Sequence, residues 1–355
     1  MAPMRTGQIL RAFACLALAV AALAGCGSDE STSSSSADVE NRPAPAKSQF
    51  PPTEGRTMAE VFESAGKAEV VVLPAARVFY TGENRFPFGV FELDHATVPD
   101  AEIALYASRV PKVNLKAEKP GAKGADARAQ RKALEEPAIG PFPASVESMA
   151  TKPAFRAQTT TDEDATAVYA TQIDFPAEGE WRIAALIKEA DGHFAATLLP
   201  SVNVGQFERV PQVGQKAPVI HTPTPDEVGG DVSQITTRVP PDTQNEADFA
   251  DVVGHEPVVL LFATPQFCES RVCGPVVDVA EQVKQEMGDE AEFIHMEIWK
   301  ENDPSTRTVR PQVKAYRLPT EPWLFVIDRE GTIRTAMEGA FGVDALEKAL
   351  SEVES

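Results

Sequence analysis

The chain has 355 residues, with 33 Lys and Arg against 53 Asp and Glu, for a formal net charge of −20. That acidic balance argues against nucleic acid and anionic membrane surfaces as partners, because both are held through clustered cations. The length allows more than one core, and four cysteines are too few for a general framework of staples.

The N-terminus, MAPMRTGQILRAFACLALAVAALAGC, has Arg5 and Arg11, an apolar run from Ala12 to Ala24, and small residues before Cys26. This is the plan of a secretory signal. The run is short for a membrane-crossing helix, which needs about 20 apolar residues. Leu23-Ala24-Gly25-Cys26 resembles the lipobox of bacterial lipoproteins. The resemblance implies a signal peptide over residues 1–26, lipidation of Cys26, and a mature chain on the extracytoplasmic face of the cell membrane, touching the bilayer through the lipid alone. Residues 27–65, rich in Ser, Pro and acidic side chains around STSSSS, read as a disordered tether.

Residues 66–207 read as short strands between turn signals. AEVVVLP, RFPFGVFEL, AEIALYAS, ATAVYATQIDF and GEWRIAALIKEADGHFAATLLPSVNVG alternate or run apolar and β-branched, with Gly and Pro between them. Asp191-Gly192 suits a hairpin turn that needs positive φ. The spacing predicts a β-sandwich that loosely resembles immunoglobulin-like modules without their cysteine pair. Lys116 to Pro137 is polar and reads as a long insertion outside the core. No acid pair, phosphate loop or nucleophile stands out, so a binding or spacing role is expected; His95 and His193 are isolated and read as surface or packing residues.

From Val210 the pattern changes. VVLLFA reads as a buried strand, and Val276, Val279, Ala280, Val283 and Met287 make one helical stripe. AEFIHMEIW is a strand, PWLFVIDREGTIRTAMEG a hairpin about Asp328 to Gly331, and VDALEKALSEV a closing amphipathic helix. The βαβ then ββα order, with the opening VGQKAP, resembles the thioredoxin-like redoxins over residues 211–355. The expected whole is thus multidomain: an N-terminal immunoglobulin-like β-sandwich followed by a C-terminal α/β thioredoxin-like fold.

Once Cys15 leaves with the signal and Cys26 carries lipid, Cys268 and Cys273 are the remaining cysteines, and in an oxidising compartment they are expected to pair unless they bind metal or a partner. A loop this small gains little entropy from cross-linking, so stability is a weak reason for the bond. Phe267-Cys268 resembles the aromatic-cysteine start of the thioredoxin-like active site. The resemblance implies thiol-disulfide exchange without a cofactor, Cys268 as nucleophile, Cys273 as resolving thiol, and extracytoplasmic thiol or disulfide proteins as partners. It also implies docking of substrate at Phe267, Trp323 and a cis-proline, for which Pro322 is preferred to Pro319.

The spacing departs from that family, with four residues between the cysteines instead of two. In a regular helix, Cα atoms five apart lie about 8.6 Å apart, whereas a disulfide rarely spans more than about 7 Å. The intervening residues must therefore form a distorted turn, with the helix beginning near Gly274-Pro275. Two other alignments stay open. Cys273-Gly274-Pro275-Val276 resembles the thioredoxin CGPC with its second cysteine replaced, which makes Cys273 the nucleophile; Ser270-Arg271-Val272-Cys273 resembles the peroxiredoxin T-x-x-C and implies peroxide reduction. The buried carboxylate that thioredoxins keep on the first central strand has no counterpart in VVLLF, leaving Glu269, Arg271 or Asp278 as substitutes, each of a kind that is more often a solvated charge. A copper chaperone of this fold, with His295 or His255 completing the site, and a non-catalytic lipoprotein with a structural disulfide are the remaining classes; neither histidine lies in the loop such chaperones use, and no metal is expected.

Overall fold

The computed structural model describes residues 39–111, 125–161, 163–268 and 270–353. The signal, Cys26, the Ser-rich stretch and Glu269 lie outside these residues.

Residues 39–65, expected as tether, are folded. Helix α1 (Met58–Val61) opens with a capping box: the Thr57 hydroxyl accepts from the Glu60 amide at 3.3 Å, and the Glu60 carboxylate accepts from the Thr57 amide at 2.8 Å. Phe50, Met58 and Val61 are buried with Tyr106, Ala184 and Leu186, so this segment covers the outer face of a sheet. A few apolar anchors spread through a polar stretch have no period to betray them, which is why composition misassigns it.

Among the described residues ten strands follow: β1 (Gly66–Lys67), β2 (Val70–Pro74), β3 (Gly82–Glu92), β4 (Glu102–Arg109), β5 (Ala138–Pro143), β6 (Ser145–Ser148), β7 (Ala167–Phe175), β8 (Gly179–Lys188), β9 (Phe194–Leu198) and β10 (Val202–Val204). One sheet runs β2-β3-β7-β6 and the other β1-β9-β8-β4-β5, with β10 pairing the start of β8. Period-2 alternation turns Phe86, Phe88, Tyr169 and Phe175 of the first sheet toward Leu105, Ile183 and Ala185 of the second, and these residues share one core. Within the polar insertion, α2 (Ala125–Ala133) ends on the sheet, where the Ser108 hydroxyl donates to the Ala133 carbonyl at 2.6 Å.

The C-terminal part holds α3 (Phe249–Val252), β11 (Val258–Phe262), α4 (Cys273–Met287), β12 (Glu292–Met296), α5 (Pro311–Ala315), β13 (Trp323–Ile327), β14 (Ile333–Glu338) and α6 (Val343–Ser351). The sheet order is β12-β11-β13-β14, with β11 and β12 parallel and β13 and β14 antiparallel, which is the thioredoxin-like arrangement. β11 and β13 are apolar throughout and buried at every position, as central strands covered on both faces must be.

The described chain is one compact unit. Met149, which follows β6, and Val168 of β7 belong to the same cluster as Val276 and Phe341 of the second part. Backbones also meet directly: a Cβ at Gly339 would overlap the Ala75 carbonyl, and one at Gly342 the Ser148 carbonyl. The Arg85 guanidinium, paired with Glu147 at 2.6 Å, donates to the Ala340 carbonyl at 2.9 Å. Residues 66–207 and 211–355 are thus fused along a packed seam, whereas the sequence reading treats them as separate modules.

Candidate active site

β11 delivers the chain to the end of the sheet, where Ala263, Thr264 and Pro265 are still buried, Phe267 and Cys268 half-buried, and Ser270 and Arg271 exposed. Val272 and Cys273 then return to the core. The reversal uses Arg271 at φ +57°, a left-handed conformation that a non-glycine residue adopts only when its surroundings hold it. Cys268 and Cys273 are disulfide-bonded with Cα atoms 5.9 Å apart, well inside the helical separation for five residues. The distorted turn expected from spacing is therefore present, although α4 begins one residue earlier than expected, at Cys273 itself.

The two sulfurs sit in unlike surroundings. Cys273 is 0% exposed and packs among Val272, Val276 and Val277. Cys268 is half-buried at the edge of the same cluster, and its Sγ accepts from the Ser270 hydroxyl at 3.2 Å and from the Cys273 amide at 3.4 Å. That amide belongs to the first turn of α4, whose N-cap Val272 offers no side-chain acceptor. The positive end of the helix is therefore directed at Cys268 Sγ.

The docking candidates divide. The Glu321–Pro322 bond is cis, and the bond before Pro319 is not among the cis bonds of the described residues. Trp323 pairs in register with Phe262, so Pro322 and the run toward Cys268 leave the sheet at the same end. Trp323 itself is a core residue, 4% exposed and stacked on Phe325, so its ring is not open to a substrate. It positions the loop instead: its Nε1 donates to the Thr320 hydroxyl at 3.0 Å, which donates to Glu338 at 2.6 Å. Glu338 also accepts from the amides of Arg77 and Val78 at 3.0 and 2.8 Å, and burial pushes its carboxyl above the usual range.

Three features escape the sequence reading. The first is the connection from β6 to β7, whose described residues 149–161 and 163–166 cross to α4 as a strap. Its Lys152 amide donates to Gln282 at 2.7 Å, its Ala157 amide to Asp278 at 3.0 Å, and its Ala165 amide to the Arg271 carbonyl at 3.1 Å. Asp278, open as a solvated charge in the sequence, is 1% exposed and paired with Arg238 at 2.9 Å; burial raises its carboxyl despite that partner. The second is a buried ion pair, His295 Nδ1 to Asp242 at 3.0 Å. His295 Nε2 also lies 3.2 Å from the Ala263 carbonyl, so both ring nitrogens are engaged and the histidine is not offered to copper. The third is Glu297, fully buried, which accepts from the Thr237 amide at 2.7 Å, while the Thr237 hydroxyl accepts from the Gln266 amide at 3.2 Å, two residues before Cys268. No sequence signal marks these contacts, since the partners are far apart in the chain.

No family model matches the chain, and no curated protein does. Among solved structures, a protein from Chlorobium tepidum assigned as thiol:disulfide interchange protein DsbE matches at 19% identity, over 41% of this chain and 99% of that one, with a TM-score of 0.27. A DsbF homologue from Corynebacterium diphtheriae matches at 16% identity, over 42% of this chain and 94% of that one, with a TM-score of 0.28.

Proposed function

We propose that the protein exchanges thiols and disulfides through Cys268 and Cys273. The observation that carries this reading is the asymmetry of the pair: a half-buried cysteine whose sulfur meets a helix N-terminus, bonded to a fully buried one. In the reduced protein the Cys268 thiolate attacks one sulfur of a partner disulfide and expels the other as a thiolate, leaving a mixed disulfide. Cys273, deprotonated, then attacks Cys268 Sγ, reforms the internal bond and releases the partner's second thiol. Burial of Cys273 supports Cys268 as the attacker and weighs against the CGP and peroxide alignments, which both need Cys273 exposed. Arg271, the cation of the peroxide reading, is turned to Glu163 at 3.4 Å. The test is trapping: Cys273→Ser is expected to accumulate mixed disulfides with partner proteins and Cys268→Ser is not. If neither traps and the bond resists dithiothreitol, the disulfide is a structural clip.

The N-terminal sheets belong, in this proposal, to an immunoglobulin-like sandwich. The orders β2-β3-β7-β6 and β9-β8-β4-β5 support it, since they follow the ABED and GFCC′ pattern of that architecture. A lipid on Cys26 would hold the site outside the cytoplasm, a reading that rests on the leader sequence. Among the described residues no helix is long and apolar enough to cross a membrane. Cys26→Ser is expected to release the protein from the membrane fraction or leave it unprocessed; unchanged processing and membrane retention would defeat the anchor.

A further inference from the structure

The β6–β7 strap has no reason to exist in a spacer. Two adjacent antiparallel strands can be joined by a few residues, yet the chain spends residues 149–166 reaching another sheet's helix. Where it ends, it touches the redox loop and the helix start three times. The Ala165 amide donates to the carbonyl of Arg271, the Glu163 carboxylate meets the Arg271 guanidinium, and Thr160 lies against Gly274, where a Cβ would stand 2.9 Å from its Oγ1. Arg271 is also the one residue of the Cys268–Cys273 loop, among those described, with positive φ. The tie and the strained residue coincide.

We propose that the strap is a positioning element of the redox site: by holding Arg271 left-handed, it keeps the two cysteines within bonding reach and so sets how strongly the disulfide is favoured over the dithiol. This deepens the thiol-disulfide reading and rests on it. The physical argument is geometric. Without the tie, Arg271 relaxes toward helical dihedrals, α4 gains residues at its N-terminus, and Cys268 moves toward the separation of about 8.6 Å that a helix imposes on positions five apart, beyond disulfide reach. The dithiol has no such requirement. Loosening the strap therefore destabilises the oxidised form selectively.

The equilibrium to measure is that of the full chain with glutathione. Two glutathione thiols give up two electrons and two protons and form one glutathione disulfide; the Cys268–Cys273 bond breaks, and each sulfur takes up one proton. Ala165→Pro removes the donor amide, and Glu163→Lys sets a cation against Arg271 at an exposed position that folding tolerates. Both are expected to lower the constant for disulfide formation by about threefold or more. Arg271→Gly supplies the conformational rescue, because glycine adopts positive φ without a tie. In the Arg271→Gly background, Ala165→Pro is expected to shift the constant by less than about half as much on a logarithmic scale, which a merely structural role for the strap does not predict. If Glu163→Lys and Ala165→Pro both leave the constant within about twofold of the parent, or if Ala165→Pro acts equally in the parent and in the Arg271→Gly background, the strap does not position the loop. A parent protein that fails to equilibrate with glutathione or dithiothreitol overturns the thiol-disulfide reading instead, and the proposal with it.

Discussion

Asp242 and His295 show how much a single buried pair holds in place. Both side chains are fully buried, and Asp242 also accepts from the Thr236 hydroxyl at 2.7 Å. Burial opposes both charges; even so, the carboxyl lies well below its ordinary 3.8 and the imidazole above its ordinary 6.5, each held charged by the other. The sign of the pH dependence follows. Asp242, with a depressed folded value, contributes stability above about pH 4 that is lost as acid protonates it; His295, with a raised folded value, contributes stability below about pH 6.5 that is lost as base removes its proton. Asp242→Asn leaves a buried imidazole without its countercharge and is expected to cost about 3–5 kcal/mol at about pH 6. Urea melts across pH should show both limbs flattened in the variant. A profile that merely drops, parallel to the parent's, would mean the pair is not ionised. The position matters for the site as well, since His295 Nε2 holds the Ala263 carbonyl, the point where β11 releases the chain toward Cys268.

At the level of elements, legibility follows period and adjacency. β11, β12, the β13–β14 hairpin and α6 announce themselves through apolar runs, a turn at Asp328 to Gly331, and a stripe at helical spacing. The cysteine loop is legible in a different way: a helix cannot bring positions five apart within disulfide reach, so a distortion has to exist, and Arg271 is where it falls. α4 defeats the stripe argument. From Cys273 to Val283 every residue is buried, Asp278 and Glu281 included, because the strap and residues 236–244 cover the face that an amphipathic reading leaves to water. A carboxylate at such a position looks solvated in sequence, and becomes a buried partner only when Arg238 and the Ala157 amide arrive from distant segments. Trp323 fails in the same direction. Its neighbour Pro322 leaves the sheet at the end from which the chain runs to Cys268, but register opposite Phe262 places the indole in the core.

The whole molecule behaves as a unit because the seam between its halves carries polar ties as well as apolar area. Separating residues 211–355 from the rest would strip Asp278 of the Ala157 amide, Glu338 of the Arg77 and Val78 amides, and Arg271 of the Ala165 amide, while Met149 and Val168 leave the cluster around α4. A buried group left without its partner costs about 1–3 kcal/mol, and a domain has only about 5–15 kcal/mol in total. The excised fragment is therefore expected to lack a cooperative thermal transition, or to melt far below the full chain, and to regain protection when residues 39–207 are supplied as a separate chain. Under the proposed function the same loss should reach the redox equilibrium of Cys268 and Cys273, because Arg271 would lose the Ala165 amide. Calorimetry of the fragment decides the matter. A cooperative transition within about 4 °C of the full chain, a shift worth roughly 1 kcal/mol at this size, would show that the seam contributes little and that the thioredoxin-like part stands alone, as its sequence pattern taken in isolation implies.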